Sequence, residues 1–230
     1  MRLAVIPARG GSKRIPRKNI KLFAGRPIIA WSIDAARDSG CFDRIIVSTD
    51  DAEIAEVARA AGAEVPFMRP MALADDHTGT IDVMRHAIEH ESHRHPTLEF
   101  ACCIYATAPM LVPVDLRAAL ETLMAGDADF AVSVTKYPFP IQRAVRVDSR
   151  RRLSMFDPDQ FATRSQDLEE AYHDAAQFYW GRSAAWLSAT TLFGSATAAV
   201  VIPRHRAQDI DTPEDWLRAE AMFRALQASP

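Results

Sequence analysis

Short apolar runs separated by longer amphipathic stretches constrain this chain more than any other feature of its sequence. Leu3 to Pro7, Arg44 to Ser48, Phe100 to Ile104 and Asp129 to Thr135 are aliphatic-rich and too short for typical helices. Between them lie segments with helical spacing. One is Pro27 to Ser39 with Gly40 as its stop signal, another runs through Ile54, Val57, Ala58 and Ala61 to Gly62, and a third runs from Pro113 to about Met124. Asp50 or Asp51 is placed to cap the second of these. Strands that alternate with helices pair in parallel, because each crossover carries the chain back to the same end of the sheet. The expected fold class is therefore α/β with a mainly parallel sheet flanked by helices. Ligands of such sheets bind beyond the carboxyl ends of the strands, so the loops starting at Ala8, Thr49, Tyr105 and Thr135 are expected to share one crevice.

At 230 residues, 48% of them hydrophobic, the chain is expected to form one domain over 1–230. A formal net charge of -3 gives no overall attraction to nucleic acid or anionic lipid, so any basic site must be local. No stretch reaches the roughly 20 apolar residues that span a bilayer, and the apolar start is cut short by Pro7 before it resembles a signal sequence. A cytoplasmic location, with no membrane and no nucleic-acid partner, is expected. Cys41, Cys102 and Cys103 are odd in number and lack C-x-x-C spacing, which reads as reduced core residues.

Directly after the first strand, Ala8-Arg9-Gly10-Gly11-Ser12-Lys13-Arg14-Ile15-Pro16-Arg17-Lys18-Asn19 carries two adjacent glycines and five cations. Glycines let the backbone approach an anion closely, and arginine and lysine neutralise phosphate charge. A triphosphate fits this loop. Its spacing matches neither G-x-x-x-x-G-K-[ST] nor G-x-G-x-x-G, which excludes the familiar ATPase and dinucleotide signatures.

Near the C-terminus stands Asp209-Ile210-Asp211-Thr212-Pro213-Glu214-Asp215. On an extended backbone Asp209 and Asp211 share a face and Ile210 enters the core. Two convergent carboxylates suit magnesium, although the same pattern also decorates a helix start, with Thr212 as cap and Pro213 at the first helical position.

IPARGGSKRIPRKNI closely resembles the nucleotide-binding signature of the CMP-sugar synthetases that activate sialic acids and related nonulosonic acids. The resemblance implies a Rossmann-like nucleotidyltransferase domain using CTP and Mg2+. It implies that Arg9, Lys13 and Lys18 grip phosphates, that Ala8, Gly10, Gly11 and Ser12 form the loop, and that Asn19 helps hold the nucleotide. RPMALADDHTGTIDV resembles the base and ribose segment, which points to Arg69 and Thr80. Asp209 and Asp211 become metal ligands, and Arg9, Lys18 and Asp211 the catalytic set. The base stays open between Asp211 and a hydroxide held by the metal.

Where the sialic-acid branch shows L-Q-P-T-S-P-L-R, this chain has Ile104-Tyr105-Ala106-Thr107-Ala108-Pro109-Met110-Leu111. That departure, with PFPIQRA and FATRSQDLEEAYHDAAQFYWG, resembles the pseudaminic-acid branch, so the expected partners are CTP and a nine-carbon acidic sugar. N-acetylneuraminic and legionaminic acids, and a catalytically silent nucleotide-binding module, are the alternatives. Arg143 or Arg164 is suited to fork onto a sugar carboxylate, while Tyr105, Gln142, His173, Asp174, Gln177 and Tyr179 offer hydrogen bonds. Gln177 and Tyr179 alternate with Phe178 and Trp180, as on a strand with one face in the core. Residues 136–160, beginning KYPFPIQRAVRV, read as an inserted β-hairpin arm that reaches a second copy in a homodimer. His86, His90, His93 and His95 are read as a solvated face and His205 as a surface residue.

Overall fold

The computed structural model describes residues 1–228. In chain order the elements are β1 (Arg2–Pro7), a short antiparallel hairpin of β2 (Leu22–Phe23) and β3 (Arg26–Pro27), α1 (Ile28–Ser39), β4 (Arg44–Ser48), α2 (Ala52–Ala60) and α3 (Thr80–Ser92). There follow β5 (Phe100–Ile104), α4 (Pro113–Ala125), β6 (Phe130–Lys136), β7 (Val145–Val147), β8 (Leu153–Met155), β9 (Tyr172–Arg182), α5 (Ser183–Ser188), β10 (Thr197–Val201) and α6 (Pro213–Ala228). Six strands form the central sheet in the order β10-β6-β9-β5-β1-β4. Its β10–β6, β5–β1 and β1–β4 pairs are parallel, and β9 runs antiparallel between β5 and β6. The structure is thus the expected α/β arrangement with one reversed central strand.

Both faces of the sheet are covered, which explains the unbroken apolar runs of β1 and β5. On one face Ile29, Ile33, Ile54, Leu116 and Leu120 pack from α1, α2 and α4; on the other Met84, Ile88 and Trp186 pack from α3 and α5. A third cluster joins Phe23 and Ile28 to Ile210, Trp216 and Phe223, so α6 closes over the first hairpin. Gly40 ends α1 with φ 67°, a conformation that suits glycine. Asp51, the second of the two expected candidates, caps α2 by accepting from the Ile54 N–H at 3.0 Å.

Two expectations need correction, and the expected hairpin is present but short. β9 is buried on both faces over Ala175 to Gly181, because it is central: Phe178 and Trp180 join one cluster and Tyr179 the other. His86 and His90 are half-buried against the Phe67 ring, with ring centroids 4.8 and 4.6 Å away, so they are packing residues. The hairpin arm has only three residues per strand, since Pro138 and Pro140 keep the chain out of a ladder until Val145.

β9 also carries a bulge. Between its pairings Val132↔Tyr179 and Val134↔Asp174 the register shifts, and Ala176 adopts φ 51°. The Asp174 carboxylate holds this turn by accepting from the Ala176 N–H at 2.8 Å, and Ser133 Oγ accepts from the Phe178 N–H at 3.1 Å. Bulges re-aim side chains, and this one lies where β9 passes the carboxyl ends of β5 and β6.

Behind the bulge, Gly181 allows Phe130 and Trp186 to meet edge to face. A Cβ there would stand 2.5 Å from the Trp186 ring nitrogen and 2.6 Å from Phe130. Gly181→Ala is expected to destabilise the fold by about 1–3 kcal/mol through overpacking, read as a lowered urea midpoint at unchanged slope.

Candidate active site

The carboxyl ends of β1 and β5 open onto a cavity of about 500 Å³. The loop after β1 forms one wall, and its shape follows from local hydrogen bonds. The Ala8 N–H donates to the Ser48 carbonyl at 2.9 Å, Gly10 N–H to Asp50 Oδ1 at 3.0 Å, and Asn19 Nδ2 to the Arg9 carbonyl at 2.9 Å. A Cβ at Gly10 would lie 2.8 Å from Asp51 Oδ2, so only glycine lets the loop pass so close to the start of α2. Arg17 sits in left-handed backbone, φ 57°, with its guanidinium on both Asp51 oxygens at 2.5 and 2.9 Å and on Glu53. The Arg17 guanidinium holds the Asp51 carboxyl down at about 2.

Of the expected nucleotide residues, Arg9, Ser12, Lys13, Lys18, Asn19, Arg69 and Thr80 line the cavity, while Ala8, Gly10 and Gly11 belong to the backbone behind it. Arg9 Nη1 and Lys13 Nζ both bind Asp76, at 2.6 and 2.5 Å, and hold its carboxyl at about 2. Arg69 is 5% exposed, and its Nε and Nη2 have no protein partner. Burial pushes its pKa down, and the Asp50 carboxylate opposes that shift. Unpartnered buried guanidinium nitrogens beside a cavity are costly unless a ligand satisfies them.

The acidic motif reaches the same cavity from the far end of the chain. Lys18 Nζ donates to the Ile210 carbonyl at 2.6 Å and lies 3.3 Å from Asp211 Oδ1, while Arg14 Nη2 is 2.9 Å from Asp211 Oδ2. Ile210 is fully buried between the two aspartates, as the alternation predicts. Thr212 and Asp215 form the reciprocal cap, with Thr212 N–H donating to Asp215 Oδ2 at 2.8 Å and Asp215 N–H to Thr212 Oγ1 at 3.2 Å. Asp209 is exposed at the rim, yet partial desolvation and then the neighbouring Asp211 carboxylate push its pKa up. Among the described residues no three metal-ligating side chains converge.

Asp211 also lines a second, adjoining cavity of about 810 Å³ with Asp209, Lys136, His173, Arg204, His205 and Arg218. Sequence reasoning missed Lys136, Arg204 and Arg218; His205, read as a surface residue, is exposed and lines this cavity. The signal was present in PRHRAQDID, where cations stand a few residues before Asp209.

A family model described as cytidylyltransferase matches residues 3–197. The chain belongs to the cytidylyltransferase family. It is 43% identical to a pseudaminic acid cytidylyltransferase of Campylobacter jejuni over 227 residues, covering 99% of this chain and 98% of that one. A CMP-N,N'-diacetyllegionaminic acid synthase of Legionella pneumophila is 32% identical, with 98% and 97% covered. A solved CMP:2-keto-3-deoxy-manno-octonic acid synthetase complexed with CTP has the same fold, with TM-score 0.72 at 17% identity over 98% of this chain and 99% of that one.

The expected sugar-facing residues divide within this cytidylyltransferase fold. Tyr105 lines the first cavity and His173 the second. Tyr179 and Gln177 are 2% and 3% exposed and lie beneath the cavity walls, with Gln177 Nε2 donating to the Arg206 carbonyl at 2.5 Å. Asp174 is half-buried at the bulge. Gln142 donates to the Glu169 carbonyl at 3.1 Å, Arg143 to the Thr163 carbonyl, and Arg164 pairs with Asp167 at 2.7 Å, all three at the base of the arm and outside both cavities.

Asp51→Ala is expected to cost about 1–2 kcal/mol at pH 7, through the lost cap and ion pair. A depressed carboxyl pKa gives stability that is complete above the unfolded value and disappears as pH falls through the folded value. The difference between wild type and variant should therefore shrink from about pH 4 towards 2, as followed by denaturant unfolding at each pH.

Proposed function

We propose that this chain forms CMP-pseudaminic acid and pyrophosphate from CTP and pseudaminic acid. The observation that carries the reading is the pair of adjoining cavities that share Asp211, one edged by loop cations and the two unpartnered nitrogens of Arg69, the other by cations and Asp209. Identity of 43% to the Campylobacter enzyme over nearly the whole chain supports the choice of sugar.

CTP would occupy the first cavity. Its base meets the Arg69 nitrogens beside Thr80, and its phosphates exchange with Asp76 for Arg9 and Lys13. The sugar would enter the second cavity, where Lys136, Arg204 and Arg218 offer charge to a carboxylate. The anomeric hydroxyl oxygen attacks the α-phosphorus, the bond to the β-phosphate oxygen breaks, and pyrophosphate leaves. Arg9, Lys13 and Lys18 stabilise charge on the transferring and departing groups. Asp211, between the cavities, is placed to accept the hydroxyl proton or to hold a metal. Asp209 and Asp211 suit Mg2+ because the Asp211 carboxylate raises the cost of charge on Asp209, which a cation would relieve, and the CTP phosphates would supply the missing ligands; the ion, when bound, would supply charge neutralisation at the α-phosphate and pyrophosphate.

The arm would pair with a second copy. Phe139, Val145, Val147, Leu153, Phe156 and Phe161 lie exposed on and around it, an apolar concentration that a monomer gains nothing by showing to water.

Pyrophosphate release from CTP and Mg2+ should be strong with pseudaminic acid and weak with legionaminic and N-acetylneuraminic acids; preference for another acid would keep the chemistry and overturn the sugar. Asp211→Ala should lower kcat by about 10²–10³, and Arg69→Ala should raise KM for CTP at least about tenfold. Light scattering should give twice the chain mass of 25.5 kDa, and the chain mass alone would refute the dimer.

A further inference from the structure

From the wall of the first cavity inward, Tyr105, Tyr179 and Asp174 form a hydrogen-bonded line in which only Tyr105 reaches the cavity. The Tyr105 and Tyr179 hydroxyl oxygens are 3.0 Å apart, and the Tyr179 hydroxyl donates to Asp174 Oδ2. The other Asp174 oxygen accepts the Ala176 N–H that fixes the bulge. Tyr179 lies within β9 and Tyr105 just past the end of the adjacent β5, where Cys103 pairs with Tyr179 and the Tyr105 N–H donates to the Gln177 carbonyl at 2.9 Å. Their rings meet edge to face at 5.5 Å.

The order of protons along this line is fixed by counting. A carboxylate oxygen has no proton to give, so the single Tyr179 proton goes to Asp174. The Tyr179 oxygen then meets Tyr105 as an acceptor, and the single Tyr105 proton points inward. Only lone pairs remain for the cavity. Burial pushes both phenols well above the ordinary tyrosine range, so both keep their protons at working pH. Thr80 stands against the Tyr105 phenol and is one available donor; a phenol oxygen has room for a second.

We propose that Tyr105 is a specificity-determining residue that presents a pure hydrogen-bond acceptor to the bound ligand, and that Tyr179 and Asp174 are positioning residues which set this polarity without touching the ligand. The group it selects is a hydroxyl or N–H donor. Such a group exists on the acceptor sugar, as a hydroxyl or amide, and on the nucleotide, as the base amine or a ribose hydroxyl. A ligand offering only an acceptor there would face lone pairs against lone pairs, and such mismatches are rejected far more strongly than the loss of a methylene. The identity of the ligands rests on the function proposed above; the polarity does not.

The test is calorimetric binding of CTP and of pseudaminic acid to the full chain. Tyr105→Phe removes only the acceptor and should weaken one ligand about tenfold while leaving the other within about twofold. Weakened sugar places the donor on the sugar, weakened CTP places it on the nucleotide, and no change in either overturns the proposal. Asp174→Asn retains the shape but reverses the line: the amide oxygen must serve the Ala176 N–H, its NH2 then faces Tyr179, and Tyr105 turns its proton outward. It should weaken the same ligand as Tyr105→Phe; unaltered binding of both would refute the polarity. Tyr179→Phe should do likewise, and its combination with Tyr105→Phe should be no worse than Tyr105→Phe alone, whereas additive losses would show that Tyr179 acts on its own. Wild type that binds both ligands and releases no pyrophosphate overturns the proposed function and leaves this comparison intact; wild type that binds neither overturns both.

Discussion

The bond from Lys18 Nζ to the Ile210 carbonyl ties the loop after the first strand to the acidic motif near the last helix, across nearly the whole chain. It sits beside Asp211, the residue that both cavities share. Its geometry depends on both ends being rigid: Ile210 is anchored in the cluster with Trp216 and Phe223, and the loop is pinned by Arg17 on Asp51. The ammonium serves a carbonyl and a carboxylate together, so it fixes where Asp211 points as well as where the loop lies. Half-buried charge pairs of this sort are worth more for position than for net stability.

The parts of the fold that sequence made legible are those governed by local periodicity. β4 and β5 begin and end where the apolar runs do, and α4 starts at the proline whose missing N–H costs nothing there. Gly40 stops α1 for the same kind of local reason. The direction and two-sided burial of β9 escaped because strand direction is a property of pairing, and nothing within AAQFYWG distinguishes a central antiparallel strand from one with a single buried face. The β2–β3 hairpin, two residues a side, is too short to leave a pattern.

The site divides along the same line. The phosphate loop was readable because glycines and cations are contiguous, and Asp209 and Asp211 because a period of two puts them on one face. Lys136 joins Arg204 and Arg218 only through tertiary structure, since β6 is distant in sequence from the turn after β10 and from α6. Tyr179 was recognisable as polar, but its burial between two strands was not. Its neighbour Asp174 owes its position to a register shift that no residue pattern announces.

The cations of the first loop are already matched within the chain: Arg9 and Lys13 with Asp76, Arg14 and Lys18 with Asp211, Arg17 with Asp51 and Glu53. An incoming anion therefore does not meet bare positive charge. It exchanges with carboxylates, and the exchange is favourable only for a ligand that replaces several of them at once. A single phosphate gains little by displacing Asp76, while a chain of phosphates spans the loop and repays each broken pair with a new one. Internal pairing thus sets a threshold of ligand valence, and it lets a chain of net negative charge keep a strongly basic loop without attracting every anion in solution.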